Sequence, residues 1–204
     1  MLASFVDSDQ ESTLSRQDHI ILLAQMSQAL SFVHSKGLVH DDVKPENIMW
    51  SPAIADVPAR AVLIDFGACF VSTGGAAADF TMSGTPPYVA PEFLAKQKSP
   101  AVDAWALGVT MLFVMGAIAL PDGNWFLPDV FVEGEARAQL LGWQNGIAEA
   151  REVLLTAASK ETPRDATMHV QLLVARLLHD KPEERLIMPE ACAMVEDLVS
   201  IAHN

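Results

Sequence analysis

Basic residues are scarce in this sequence: 13 lysines and arginines stand against 26 aspartates and glutamates, giving a formal net charge of −13 over 204 residues. Nucleic acid and anionic membrane surfaces demand clustered cations, so neither is expected as the main partner. Cysteine is nearly absent as well. Cys69 and Cys192 lie far apart, with no CxxC and no neighbouring histidine pattern, which argues against both a disulfide framework and a cysteine metal site. The opening MLASFVDSDQESTLSRQD lacks the basic stretch and apolar core of a secretory signal. These two absences leave the cytoplasm as the default compartment, with the nucleus open.

Long hydrophobic runs are also rare. The one that exists, AVDAWALGVTMLFVMGAIAL over 101–120, could cross a bilayer by length and carries a single charge, Asp103. No lysine or arginine asymmetry flanks it. A fully buried central helix is therefore the expected reading, and no membrane is expected as a partner.

Half of the residues are hydrophobic, enough for a packed core and too many for global disorder. SRQDHIILLAQMSQALSFVHSKG sets Ser15 and Asp18 at capping-box spacing and Leu22, Met26, Leu30 and Val33 on one face, with Gly37 as a stop. That predicts an amphipathic helix of about five turns. The short apolar runs NIMW and RAVLIDF, separated by the proline-bearing SPAIADVPA, predict a small β-ribbon. Residues 67–90, rich in Gly, Ala, Ser and Thr, predict a long loop, and such loops inside compact domains are usually functional. Beyond Ser99-Pro100, a good cap and first-turn pair, helices are expected over 101–117 and about 135–158, 165–179 and 189–202. PDGNWFLPDVFVEG and HDKPEER read as loops between them. The fold class is thus mainly α with a small β-ribbon, in one unit over 1–204.

Four polar sets follow one another: HDDVKPEN (40–47), DFG (65–67), GTPPYVAPE (84–92) and DAWALG (103–108), with Arg185 in KPEERL near the end. In order and spacing they resemble the C-terminal lobe of eukaryotic protein kinases, in the serine/threonine branch, from about residue 15 to residue 200. A lone DFG is common by chance, whereas the whole ordered series is not. The resemblance implies the large lobe of a protein-kinase-like fold and transfer of the ATP γ-phosphoryl to a serine or threonine of a protein substrate.

It also implies roles. Asp42 would orient and deprotonate the attacking hydroxyl, Lys44 would neutralise the γ-phosphate, and Asn47 and Asp65 would share Mg²⁺. Taken singly, Asp42 and Asn47 would suit Asx-turn or capping work in a tight loop; with Lys44-Pro45 and the later sets, chemistry is favoured. Thr85 matches the hydroxyl that contacts the catalytic aspartate and lysine in serine/threonine enzymes. His40, Phe66 and Gly67 carry over as structural members of their motifs. Asp103 matches the residue that accepts hydrogen bonds from the catalytic-loop backbone, and Glu92 the partner of an arginine near the chain end, here Arg185. Cys69, beside DFG, reads as a small apolar residue.

Two departures stand out. Position 41 is Asp where the family most often has Arg, and in kinases with that arginine a phosphate on the activation segment pairs with it. An aspartate would repel the phosphate, so activity is expected not to depend on phosphorylating Thr73, Thr81 or Ser83. The second departure is the small lobe. No GxGxxG and no lysine precede Lys36, so a truncated domain is expected, with MLASFV as hinge at most. Three readings follow: the large-lobe portion of a serine/threonine kinase, foremost; an inactive docking module; and an enzyme whose small lobe or activator is another chain. Marginal stability and weak ATP affinity are expected of such a chain alone.

Overall fold

Helix α1 (Arg16–Ser35) begins in a capping box: Asp18 N donates to Ser15 Oγ at 3.2 Å and Ser15 N donates to Asp18 Oδ2 at 2.9 Å. Leu22, Met26, Leu30 and Val33 are buried along one face, and Gly37, at φ 71°, turns the chain away. The computed structural model describes residues 1–5, 13–73, 80–121, 126–160 and 166–202. The expected loop over 67–90 and the hinge at MLASFV therefore fall partly outside the described residues.

Among the described residues four short strands follow α1: β1 (Leu38–Val39), β2 (Ile48–Ser51), β3 (Arg60–Leu63) and β4 (Phe70–Val71). β2 and β3 form the predicted antiparallel ribbon, with Ile48 opposite Leu63 and Ser51 opposite Arg60. Burial alternates along both strands, so Ile48, Trp50, Ala61 and Leu63 face the core. The Gln25 side chain holds this ribbon to α1, donating to Ala59 O at 3.2 Å and accepting from Ala61 N at 2.6 Å. β3 stops before Ile64 although the apolar run continues, because Asp65 takes a left-handed φ of 61°. The antiparallel pairing of β1 with β4 was not expected from the sequence.

α2 (Ala101–Val114) is the hydrophobic segment, and every side chain from Val102 to Val114 is buried. Ser99 Oγ accepts Ala101 N at 3.3 Å, capping it one residue ahead of Pro100. It ends at Val114 rather than 117, with Gly116 left-handed at φ 68°. Among the described residues no helix is long and apolar enough to cross a membrane. Gly108 lets α4 approach: a Cβ there would lie 2.7 Å from Leu178 Cγ.

Among the described residues the remaining α-helices are α3 (Glu135–Lys160), α4 (Ala166–Leu177) and α5 (Met188–Ala202). α2 contacts α1 and α4, α5 covers α1, and α3 packs on α4. A second apolar cluster of Val89, Phe93, Leu127, Val130 and Leu140 joins a 3₁₀ turn at Leu127–Phe131 to the segment after Gly84. Among the described residues the result is a mainly helical unit with two small antiparallel β-ribbons, the large-lobe architecture expected of the sequence.

Candidate active site

The loop from His40 to Asn47 joins β1 to β2, and a buried carboxylate sets its entry. Asp103, in the first turn of α2, is fully buried and accepts His40 N at 2.9 Å on Oδ2 and Asp41 N at 2.8 Å on Oδ1. His34 Nε2 adds a 2.8 Å contact to Oδ2. These bonds support Asp41 in its left-handed φ of 65°. The His40 ring accepts Asp42 N on Nδ1 at 3.3 Å and faces Ile64 O through Nε2 at 3.1 Å. Together the two contacts select the tautomer with the proton on Nε2.

Asp42, Lys44 and Thr85 form a closed triangle. Thr85 Oγ1 donates to Asp42 Oδ1 at 2.6 Å, Lys44 Nζ donates to Thr85 Oγ1 at 2.7 Å, and Lys44 Nζ lies 2.8 Å from Asp42 Oδ2. Asn47 Nδ2 donates to Asp42 O at 2.8 Å and to Asp42 Oδ2 at 2.9 Å. Both amide hydrogens are thereby committed, and the Asn47 carbonyl oxygen is the atom with ligand capacity. A carboxylate, an ammonium and a hydroxyl are thus fixed within bonding distance of one another.

Asp65 reaches the same region through the backbone, since Ile64 N donates to Asn47 O at 2.9 Å. Its side chain is exposed and accepts Gly67 N on Oδ1 at 3.1 Å. Phe66 stands edge-on to His40, with ring centroids 4.9 Å apart. Among the described residues no three His, Cys, Asp or Glu side chains gather as a metal site. Mg²⁺ needs no such cage, because one carboxylate and one amide oxygen with phosphates and waters complete its shell. The hard oxygen donors of Asp65 and Asn47 fit that ion.

Glu92 and Arg185 form a bidentate pair at 2.6 and 3.0 Å, with side chains 4% and 0% exposed. The guanidinium also donates to Ala101 O and His179 O, and lies over the Trp105 ring at 5.2 Å. This pair anchors the end of the 84–92 segment beneath α2. α3 fastens the same segment from outside: Trp143 Nε1 donates to Pro87 O at 2.7 Å and Gln144 Nε2 to Val89 O at 3.3 Å.

Sequence reasoning missed Lys98, whose side chain is 2% exposed and pairs with Asp41. Burial pushes Asp41 up to about 6, against the opposing pull of Lys98 and Ser83, and burial lowers Lys98. The available signal was the acidic residue at 41, which called for a cation elsewhere. Burial, with the carboxylates of Asp103 and Asp41 nearby, raises the Cys69 thiol, which suits a small apolar side chain rather than a nucleophile.

The protein kinase domain model matches residues 2–195. Calcium/calmodulin-dependent protein kinase type 1B from Rattus norvegicus and from Homo sapiens is similar, each 39% identical over 101 residues, 49% of this chain and 28% of the relative. The type 1 enzyme of Caenorhabditis elegans is 38% identical over 100 residues, 48% of this chain and 28% of the relative. The matched stretch spans less than a third of the length of these curated relatives.

Proposed function

The chain belongs to the protein kinase family, and we propose that it lies in the serine/threonine branch and carries the large-lobe half of a site transferring the ATP γ-phosphoryl to a serine or threonine of a protein. The observation that carries this reading is the Asp42–Lys44–Thr85 triangle with Asn47 bonded to its carboxylate. A docking surface alone has no need of that arrangement.

In this reading Asp42 orients the substrate hydroxyl and takes its proton as the new oxygen–phosphorus bond forms and the bond to the ADP oxygen breaks. Lys44 faces the transferring group and offsets its charge. Thr85 ties the acceptor-binding segment to Asp42, so the hydroxyl is presented where the base can reach it. Asn47 and Asp65 would hold Mg²⁺, which neutralises phosphate charge when bound. The 84–92 segment, clamped by Arg185 and by Trp143, resembles the one that shapes the peptide groove of protein kinases, which makes a protein the favoured acceptor. A glycine-rich small lobe over the phosphates is part of the proposal, in the same chain or supplied by a partner.

Calorimetric titration of the full-length protein with Mg·ATP, beside an Asp65→Asn variant, tests this. Saturable binding that the variant loses supports the enzyme reading. A folded protein that binds no Mg·ATP would instead be a docking module.

A further inference from the structure

Lys98 lies outside every motif, yet its ammonium stands at the centre of the contacts between the catalytic loop and the segment ahead of Thr85. It donates to the Asp41 carboxylate, to Ser83 O at 3.1 Å, to Ser83 Oγ at 3.0 Å and to Thr81 Oγ1 at 3.4 Å. Ser83 Oγ in turn donates to the same Asp41 oxygen. The rings of Phe70, Phe80 and Phe93 surround the ammonium at 5.9, 5.7 and 5.6 Å. A buried ammonium demands partners of opposite charge or accepting oxygens, and here they come from two segments that must be held together.

Only Gly84 separates Ser83 from Thr85. Gly84 runs at φ 103°, and a Cβ on it would come within 3.2 Å of Asp41 O, so the segment passes against the catalytic loop with no room to spare. Fixing Ser83 therefore fixes where the Thr85 hydroxyl meets Asp42. Where a kinase with arginine at position 41 uses a phosphate on the segment as the bridge, this chain has the charges reversed and internal: an acid on the loop and a base on the chain that follows. No added group is needed to neutralise either.

We propose that Lys98 is a positioning residue, an internal cation that docks residues 81–85 onto the catalytic loop through Asp41 and so sets the Thr85–Asp42 contact while the Thr81 and Ser83 hydroxyls are unmodified. The proposal rests on the kinase reading for its effect on rate, but not for the docking itself.

Hydrogen exchange and peptide phosphorylation are measured on the full-length protein and its Lys98→Met, Lys98→Arg, Asp41→Asn and Asp41→Asn/Lys98→Met variants. Lys98→Met is expected to speed exchange at residues 81–85 with little change in α5, and to lower kcat about 100-fold as the catalytic geometry loosens, while the KM for ATP holds. Lys98→Arg restores much of both. The double variant loses no more than the worse single variant, as for residues that act together. Phosphatase treatment leaves the parent activity unchanged. Unaltered exchange at 81–85 in Lys98→Met overturns the proposal, whether or not the protein is active. Faster exchange there in a protein that transfers no phosphate leaves the docking intact and overturns the proposed function instead. Should Lys98→Met prove unfolded by circular dichroism, Lys98→Arg and Asp41→Asn carry the test, and unchanged exchange in Asp41→Asn overturns it.

Discussion

Thr85 donates its hydroxyl hydrogen to Asp42 across 2.6 Å, joining a residue of the 84–92 segment to one of the loop between β1 and β2. Lys44 completes the contact from the other side at 2.7 Å. Loss of a hydrogen bond to a charged group costs roughly 1.5–3 kcal/mol. Thr85→Ala is accordingly expected to reduce kcat about 10- to 100-fold, and Thr85→Ser to keep most of the rate. Steady-state kinetics on a serine-containing peptide checks this, and equal rates in the alanine variant would remove Thr85 from the account.

The Glu92–Arg185 pair is buried, bidentate and bonded to backbone carbonyls. Removing either partner strands the other charge, at a cost of about 3–5 kcal/mol. Urea unfolding of Arg185→Ala and Glu92→Ala is expected to show that loss in each, with the double variant well short of the sum.

Asp41 supplies a pH dependence. Burial raises it to about 6 in the folded protein, so in the range between the ordinary carboxylate value and that point the folded state holds a proton that the unfolded chain has released. The stability it contributes is full at low pH and is lost as pH rises through about 6. Lys98 and Ser83 face the carboxylate side chain, and Asp103 approaches from α2. Between about pH 7 and about pH 4, the parent protein is expected to gain roughly 2–3 kcal/mol relative to Asp41→Asn. Denaturant midpoints at the two pH values measure the difference, and parallel pH profiles would contradict it.

Gly108 is where α2 meets the end of α4, with Leu178 inside the space of a Cβ. Gly108→Ala raises helix propensity but forces two packed elements apart. The overpacking cost of about 1–3 kcal/mol is expected to outweigh a propensity gain of about 1 kcal/mol. A thermal melt lower than that of the parent protein is the expected sign.

Much of the fold could be read from periodicity and punctuation. The cap at Ser15, the stop at Gly37 and the alternation in NIMW and RAVL each act within a few residues, and the elements stand where those local rules put them. The β1–β4 pairing escaped because two-residue strands have no period to detect. α2 ended early because a left-handed Gly116 terminated a run that hydropathy would have continued. The positions that meet around Asp42 were legible through the ordered motifs, since their spacing follows a known pattern. Lys98 was not, because its partner lies 57 residues away and only the three-dimensional path brings them together.

Transfer of labelled γ-phosphate from Mg·ATP to a serine or threonine peptide, measured for the full-length protein and for Asp42→Asn, tests the central claim most directly. The account predicts transfer by the parent protein and a fall of about 100-fold or more in the variant, as expected for loss of a positioned general base, with its fold and Mg·ATP binding retained. Equal transfer by the two proteins, or none by a folded parent that binds Mg·ATP, would contradict it.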